Sequence, residues 1–292
     1  QLVAEGDRLA FSTDSYVIDP LFFPGGNIGK LAICGTANDV AVSGAIPRYL
    51  SCGFILEEGL PMETLKAVVT SMAETARAAG IAIVTGDTKV VQRGAADKLF
   101  INTAGMGAIP ANIHWGAQTL TAGDVLLVSG TLGDHGATIL NLREQLGLDG
   151  ELVSDCAVLA PLIQTLRDIP GVKALRDATR GGVNAVVHEF AAACGCGIEL
   201  SEAALPVKPA VRGVCELLGL DALNFANEGK LVIAVERNAA EQVLAALHSH
   251  PLGKDAALIG EVVERKGVRL AGLYGVKRTL DLPHAEPLPR IC

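Results

Sequence analysis

Aromatic residues are scarce in this 292-residue sequence, at 4%, with one tryptophan and three tyrosines. That argues against a stacking platform for nucleobases. Positive charge is also short: 24 Lys and Arg stand against 32 Asp and Glu, a net charge of −8. A nucleic-acid binder needs a basic face, so nucleic acid is not expected as a partner. Nucleotides stay open, because Mg²⁺ can bridge carboxylates to phosphates. No apolar run reaches the ~18 residues of a membrane span, so no membrane partner is expected. Cysteine is odd in number and scattered, at Cys34, Cys52, Cys156, Cys194, Cys196, Cys215 and Cys292. That pattern fits a reducing cytoplasm better than a disulfide framework.

Several signatures of chemistry are missing too. The histidines form no His-Glu-x-x-His helix, and no Cys-x-x-Cys pairs carry zinc spacing. There is no Gly-x-Ser-x-Gly elbow. Gly25-Gly26-Asn27-Ile28-Gly29-Lys30 looks like a phosphate loop, but the required earlier glycine is Pro24 and the residue after the lysine is Leu31. It reads instead as a turn leading into a helix. Cys194-Gly195-Cys196 reads as a helix end, and the other internal cysteines sit in apolar surroundings.

What is present is a large apolar fraction, 50%, mostly Ala, Val, Leu and Ile. It is enough for a sizeable core of helices packed on sheets. The length suggests two domains. Strands are expected at 8–18, 48–57, 81–85 and 99–109, with helices at 28–45, capped by Asn27, and 61–79. A composition break from Pro110 to Gly123 marks a boundary. Beyond it come strands at 124–130, 230–236, 256–264 and 268–272, and helices from 133 and at 155–168, 181–194, 209–218 and 238–248. Domains are therefore expected at 1–115 and 116–280. Residues 281–292 (DLPHAEPLPRIC) hold three prolines and read as a mobile, extended arm carrying Cys292.

Four polar clusters interrupt apolar elements: Ser12-Thr13-Asp14 at a strand end, Asn38-Asp39 inside a helix, Thr85-Gly86-Asp87-Thr88-Lys89 after a strand, and Asp177-Ala178-Thr179-Arg180-Gly181-Gly182 before a helix. An aspartate in an apolar helix costs several kcal/mol unless paired or bound to metal. Asp39 can thus be a buried hydrogen-bonding carboxylate, and Asp14 and Asp87 can be turn residues. Alternatively the three converge on a divalent cation, which would relieve their repulsion. The last cluster is more specific. Its glycines permit close backbone approach at a helix start, where N–H groups meet an anion, and Arg180 adds a bidentate phosphate donor. Asn227-Glu228-Gly229 is a weaker signal.

The segments FSTDSYVIDPLFFPGGNIGKLAICGTANDVAVSGAIP, VTGDTKV, DATRGG and NEGKL occur in this order across most of the chain. Together they resemble the superfamily of aminoimidazole-ribonucleotide synthetase, selenophosphate synthetase and thiamine-monophosphate kinase. The ending Pro289-Arg290-Ile291-Cys292 resembles that of the carbamoyl dehydratases of hydrogenase maturation. The resemblance implies an α+β, two-domain PurM-like fold, in which the N-terminal sheet forms the interface of a homodimer. It implies ATP and Mg²⁺ as cofactors, with Asp14, Asp39 and Asp87 as metal carboxylates. Asn38, Thr179, Arg180, Gly181 and Gly182 match the nucleotide-facing residues.

It also implies the chemistry. The carbamoyl transferase HypF would load the Cys292 thiol, and ATP would activate the amide oxygen. Loss of phosphate and a proton would leave a thiocyanate, whose cyanide passes to a HypC–HypD complex for the iron of nickel–iron hydrogenase. Glu228 is expected as general base and Lys89 as the group that polarises the oxygen or neutralises phosphate. His135, at a strand-to-helix turn, faces the nucleotide or serves the structure. Members of the superfamily usually begin with a helix and a Gly-rich stretch over the triphosphate. Nothing of that kind precedes Gln1, so a shortened N-terminus and weaker ATP binding are expected. Two other readings remain: a small-molecule kinase or ligase, which would not need Cys292, and a thiol carrier, which would not hydrolyse ATP.

Overall fold

The computed structural model describes residue 6 and residues 8–148, 150–283, 288 and 290–292. The N-terminal part runs β1 (Arg8–Tyr16), β2 (Phe22–Phe23), β3 (Gly26–Asn27), α1 (Ile28–Val42), β4 (Ile46–Glu57), α2 (Met62–Ala79), β5 (Ala82–Val91) and β6 (Leu99–Ile109). Its main sheet has the order β1-β6-β4-β5, with β4 and β5 parallel and the other pairs antiparallel. Side chains on β4 alternate across the sheet: Leu50, Cys52 and Leu56 are buried under the helices. The other face stays open, leaving Leu9, Phe11 and Ile55 exposed.

Helix α1 begins where the Asn27 side chain accepts from the N–H groups of Gly29 and Lys30, as expected of that cap. It is buried almost all round because it packs against β1, β6 and α2 on one side and against the C-terminal part on the other. This central position makes the polar residues it carries costly, and therefore informative.

The C-terminal part runs β7 (Val125–Val128), α3 (Asp134–Glu144), α4 (Ala160–Gln164), β8 (Val172–Asp177), α5 (Gly182–Cys194), β9 (Gly197–Ser201), α6 (Pro209–Leu218), β10 (Leu231–Val235), α7 (Ala240–His248), β11 (Ala257–Val263), β12 (Gly267–Ala271) and β13 (Lys277–Thr279). Among the described residues these strands form one sheet, β13-β12-β9-β11-β7-β10-β8. Strand β10, LVIAV, is covered on both faces: Leu231, Ile233 and Val235 enter one core, Val232 and Ala234 the other.

Four expectations change. The helix expected at 155–168 shortens to Ala160–Gln164, because residues 154–159 run as loop against α1. Strands β8 and β9 lie where none was expected. Strand β5 continues to Val91, so Thr85–Lys89 sits within the strand, held by pairing to β4, and does not follow it. The fourth change concerns the chain's end. Residues 284–287 and Pro289 of the expected arm lie outside the described residues. Leu288 and Ile291 are buried in a core shared by the two parts, and Val17 N–H donates to the main-chain oxygen of Cys292 at 3.0 Å. The last three residues are docked.

Candidate active site

Five segments (β1, α1, β8 with the turn after it, the loop before β10 and the chain's end) meet at a small cavity of about 70 Å³ lined by Asp14, Tyr16, Asp39, Asp177, Glu228 and Cys292, with Thr179 and Arg180 at its wall. The end of β1 supplies Asp14 and Tyr16, because period-two alternation turns Ser12, Asp14 and Tyr16 towards α1. Ser12 Oγ donates to Asp39 Oδ2 at 2.7 Å. Tyr16 Oη donates to Asp14 Oδ2 at 3.3 Å and lies 3.1 Å from Thr36 Oγ1.

Strand β8 delivers Arg176 and Asp177. Arg176 Nη1 lies 3.5 Å from Asp39 Oδ1 and 3.9 Å from Asp177 Oδ1. The turn that follows reaches α5 through Gly181 and Gly182, at φ 73° and 59°. A Cβ at Gly182 would come within 2.4 Å of the Leu223 carbonyl, so only glycine fits this turn. No side chain caps α5, whose N-terminus is left to an anion.

Glu228 enters from the loop before β10. Its N–H and that of Gly229 donate to the two oxygens of Asp155, at 3.0 and 3.2 Å, and Asp155 pairs with Lys230 at 3.3 Å. This clamp fixes the backbone while the side chain is buried with Oε1 lacking a hydrogen-bond partner. Asp177 Oδ1 is likewise buried without one.

The electrostatics follow from this crowding. Burial, and then the charge of Asp39, push the Asp14 carboxyl up to about 6. The same two causes push Asp177 up to about 7. Burial pushes Glu228 well above the carboxylate range, with Cys156, Asp155 and Asp177 adding to it. A site that raises three acids, and leaves buried oxygens unpartnered, is short of positive charge. Among the described residues, no group of three or more His, Cys, Asp and Glu side chains is gathered closely enough to hold a metal by itself. The oxygen-only carboxylates of Asp14, Asp39 and Asp177 in this cavity are the kind of donor Mg²⁺ takes, with phosphate needed to complete its shell.

The expected site residues divide. Asp14, Asp39, Thr179, Arg180, Glu228 and Cys292 come to the one cavity, and Gly181 and Gly182 form its turn. Asp87 and Lys89 do not. They pair with each other at 3.2 Å on exposed β5, so the expected Asp14–Asp39–Asp87 triad does not form within one chain. Asn38 binds backbone instead: its Nδ2 donates to the Ala157 carbonyl at 3.0 Å, and its Oδ1 accepts from Leu159 N–H at 2.7 Å. His135 is buried and contacts the tail at the Ile291 carbonyl. The sequence reading left out Asp177 as a site residue, although it opens the quoted DATRGG motif, and gave no role to Tyr16 or Arg176.

Comparison with known proteins supports the fold. The family described as "AIR synthase related protein, N-terminal domain" matches residues 2–109, and its "C-terminal domain" matches residues 121–272. These two halves are the PurM-like fold, one sheet from each. Carbamoyl dehydratase HypE of Escherichia coli (strain K12) is 99% identical over 292 residues, covering all of this chain and 87% of the relative. The chain belongs to the HypE family of carbamoyl dehydratases. Two solved structures are also close. A hydrogenase maturation protein HypE in complex with ATP is 45% identical, with a TM-score of 0.94, over all of this chain and 91% of that one. A HypE–HypF complex is 48% identical, with a TM-score of 0.92, over 94% and 90%. Among the described residues no helix is long and apolar enough to cross a membrane.

Proposed function

We propose that the chain converts an S-carbamoyl group on its own Cys292 thiol to a thiocyanate, using ATP. The carrying observation is that Cys292 lies in the same cavity as Glu228, Asp14, Asp39 and Asp177. At about 70 Å³ that space takes a carbamoyl group and not a nucleotide. An amide oxygen is a poor leaving group, and ATP, when bound, supplies the phosphoryl group that makes it a good one. Thr179, Arg180 and the uncapped start of α5 would hold the triphosphate. Asp14, Asp39 and Asp177 would hold Mg²⁺, which would offset phosphate charge.

The net change is loss of the amide oxygen and both amide hydrogens as the C–N bond becomes triple. Glu228 is the proton acceptor. Its buried, unpartnered Oε1 has high proton affinity in the ionised form, and its backbone clamp prevents it from swinging away. Tyr16 orients Asp14, and Ser12 orients Asp39.

The partners follow from the same reading. A HypF carbamoyl transferase loads the thiol; a solved HypE–HypF complex of a relative supports HypF as the partner. The cyanide goes on to a HypC–HypD acceptor in nickel–iron hydrogenase assembly. A second copy of the chain covers the open sheet face carrying Leu9, Phe11 and Ile55.

Intact-mass spectrometry of carbamoyl-loaded protein tests the reading. With Mg-ATP the adduct should lose the mass of one water, on Cys292. ATP consumed at constant adduct mass would favour a kinase, and no ATP turnover at all would favour a carrier.

A further inference from the structure

The turn that opens α3 grips the last peptide unit of the chain. His135 Nε2 lies 2.8 Å from the Ile291 carbonyl oxygen, and its Nδ1 lies 2.8 Å from Ser154 Oγ. A carbonyl only accepts, so Nε2 carries the hydrogen. Ser154 Oγ already accepts from Cys156 N–H at 3.2 Å, which leaves its own hydrogen for Nδ1. A neutral ring in one tautomer satisfies every contact. Burial holds the ring neutral by pulling its pKa down, and its place in the first turn of α3 acts in the same sense. The Phe23 ring meets the imidazole edge-on at 5.4 Å.

The Ile291 carbonyl precedes the Cys292 Cα, and the main-chain carboxylate of Cys292 follows it. Val17 N–H holds the second at 3.0 Å. Both acceptors flanking that Cα are therefore fixed, the carbonyl by a ring and the carboxylate by backbone N–H. Upstream, Arg290 donates to the Val17 carbonyl at 2.9 Å and pairs with Asp97 at 2.6 Å. The same α3 turn is tied to the Glu228 loop, since Gly133 N–H donates to Asn227 Oδ1 at 2.7 Å.

We propose that His135, set in its Nε2–H tautomer by Ser154, is the positioning residue that seats the Ile291–Cys292 peptide in the carboxylate cavity. This rests on the reading of Cys292 as the modified residue. Loading by a transferase needs the tail away from the cavity, and dehydration needs it within. Weakening the seat thus affects the two steps in opposite directions.

The experiment uses the full chain with His135→Ala, His135→Gln and Ser154→Ala. Iodoacetamide labelling of Cys292 without nucleotide, read by mass, reports undocking. Carbamoyl loading, then single-turnover water loss with Mg-ATP, reports the two steps. The alanine variants should label Cys292 roughly five- to tenfold faster, as loss of one hydrogen bond implies. They should load at least as fast as wild type and lose water several-fold more slowly. His135→Gln, whose amide donates at similar reach, should restore both. An unfolded His135→Ala betrays itself by labelling of buried Cys34 and Cys156, and Ser154→Ala then decides alone. Labelling and water loss at wild-type rates in Ser154→Ala and in folded His135→Ala overturn the proposal. If wild type never loses water, the functional reading fails while the labelling comparison still judges the seat.

Discussion

Tyr16 lays its hydroxyl over Gly35, where a Cβ would come within 2.4 Å of the phenol oxygen. The glycine is in mid-helix, where glycine costs helix stability. It is present because α1 must let β1 approach closely enough for Tyr16 to reach both Asp14 and Thr36. Gly35→Ala should push the ring out, at a cost of about 1–3 kcal/mol by overpacking. Thermal melting measures that cost. The loss of Asp14 orientation should appear as slowed water loss from the loaded chain. A variant as stable and as fast as wild type would remove Tyr16 from the account.

Asp177 carries a pH signature. Its carboxyl moves from 3.8 to about 7 on folding, so between these values the folded state holds a proton that the unfolded state has released. Stability from this group is complete below about pH 4 and is lost as pH rises towards 7. Asp14, raised to about 6, acts in the same direction. Asp177→Asn removes the penalty. It should melt several degrees above wild type at pH 8, from a gain on the order of 2 kcal/mol, and level with it near pH 4. A variant less stable than wild type at pH 8 would contradict the crowding of charge described above.

How much of this was legible in the residues differs from element to element. The α1 cap at Asn27 was visible because its side chain acts on neighbours two and three positions away. Helix α6 was read to the residue, since Pro209 and Gly219 bracket an amphipathic run. Strand β8, VKALRD, hid behind its Lys and Arg, which only a sheet with α1 beside it could position. The site was legible as residue types but not as a meeting place. Asp87 belongs to a sequence motif as marked as that of Asp14, yet β5 pairing carries it to an exposed strand. The docked tail was hidden for the same reason: its partners Val17, His135 and Arg143 lie far away in sequence.

Asn38 should prove a stability residue first. Its amide serves the Ala157 carbonyl and Leu159 N–H, both on the loop whose Asp155 clamps Glu228. Asn38→Ala leaves a buried donor and acceptor unmet, for a loss of about 2–4 kcal/mol in denaturant unfolding. Asn38→Asp keeps the acceptor but loses the donor and buries a carboxyl beside Asp39, so at neutral pH it should be at least as destabilised as the alanine variant. Equal stability of all three chains would mean that the loop finds other partners.

Glu228→Gln separates proton transfer from packing. The amide has nearly the same shape and no base to offer, so the loaded chain should still dock its tail and melt no lower than wild type. Water loss should slow by roughly 10²–10⁴-fold, the usual worth of a positioned base. In wild type the rate should climb with pH through a step well above 4.5, because burial raises the carboxyl and only its ionised form accepts a proton. That step should vanish in the variant. Single-turnover mass spectrometry across pH reads both effects. A Gln variant that keeps the wild-type rate and the same acid limb would assign the proton to another group, and Asp14, raised to about 6 in the same cavity, would be the next to replace.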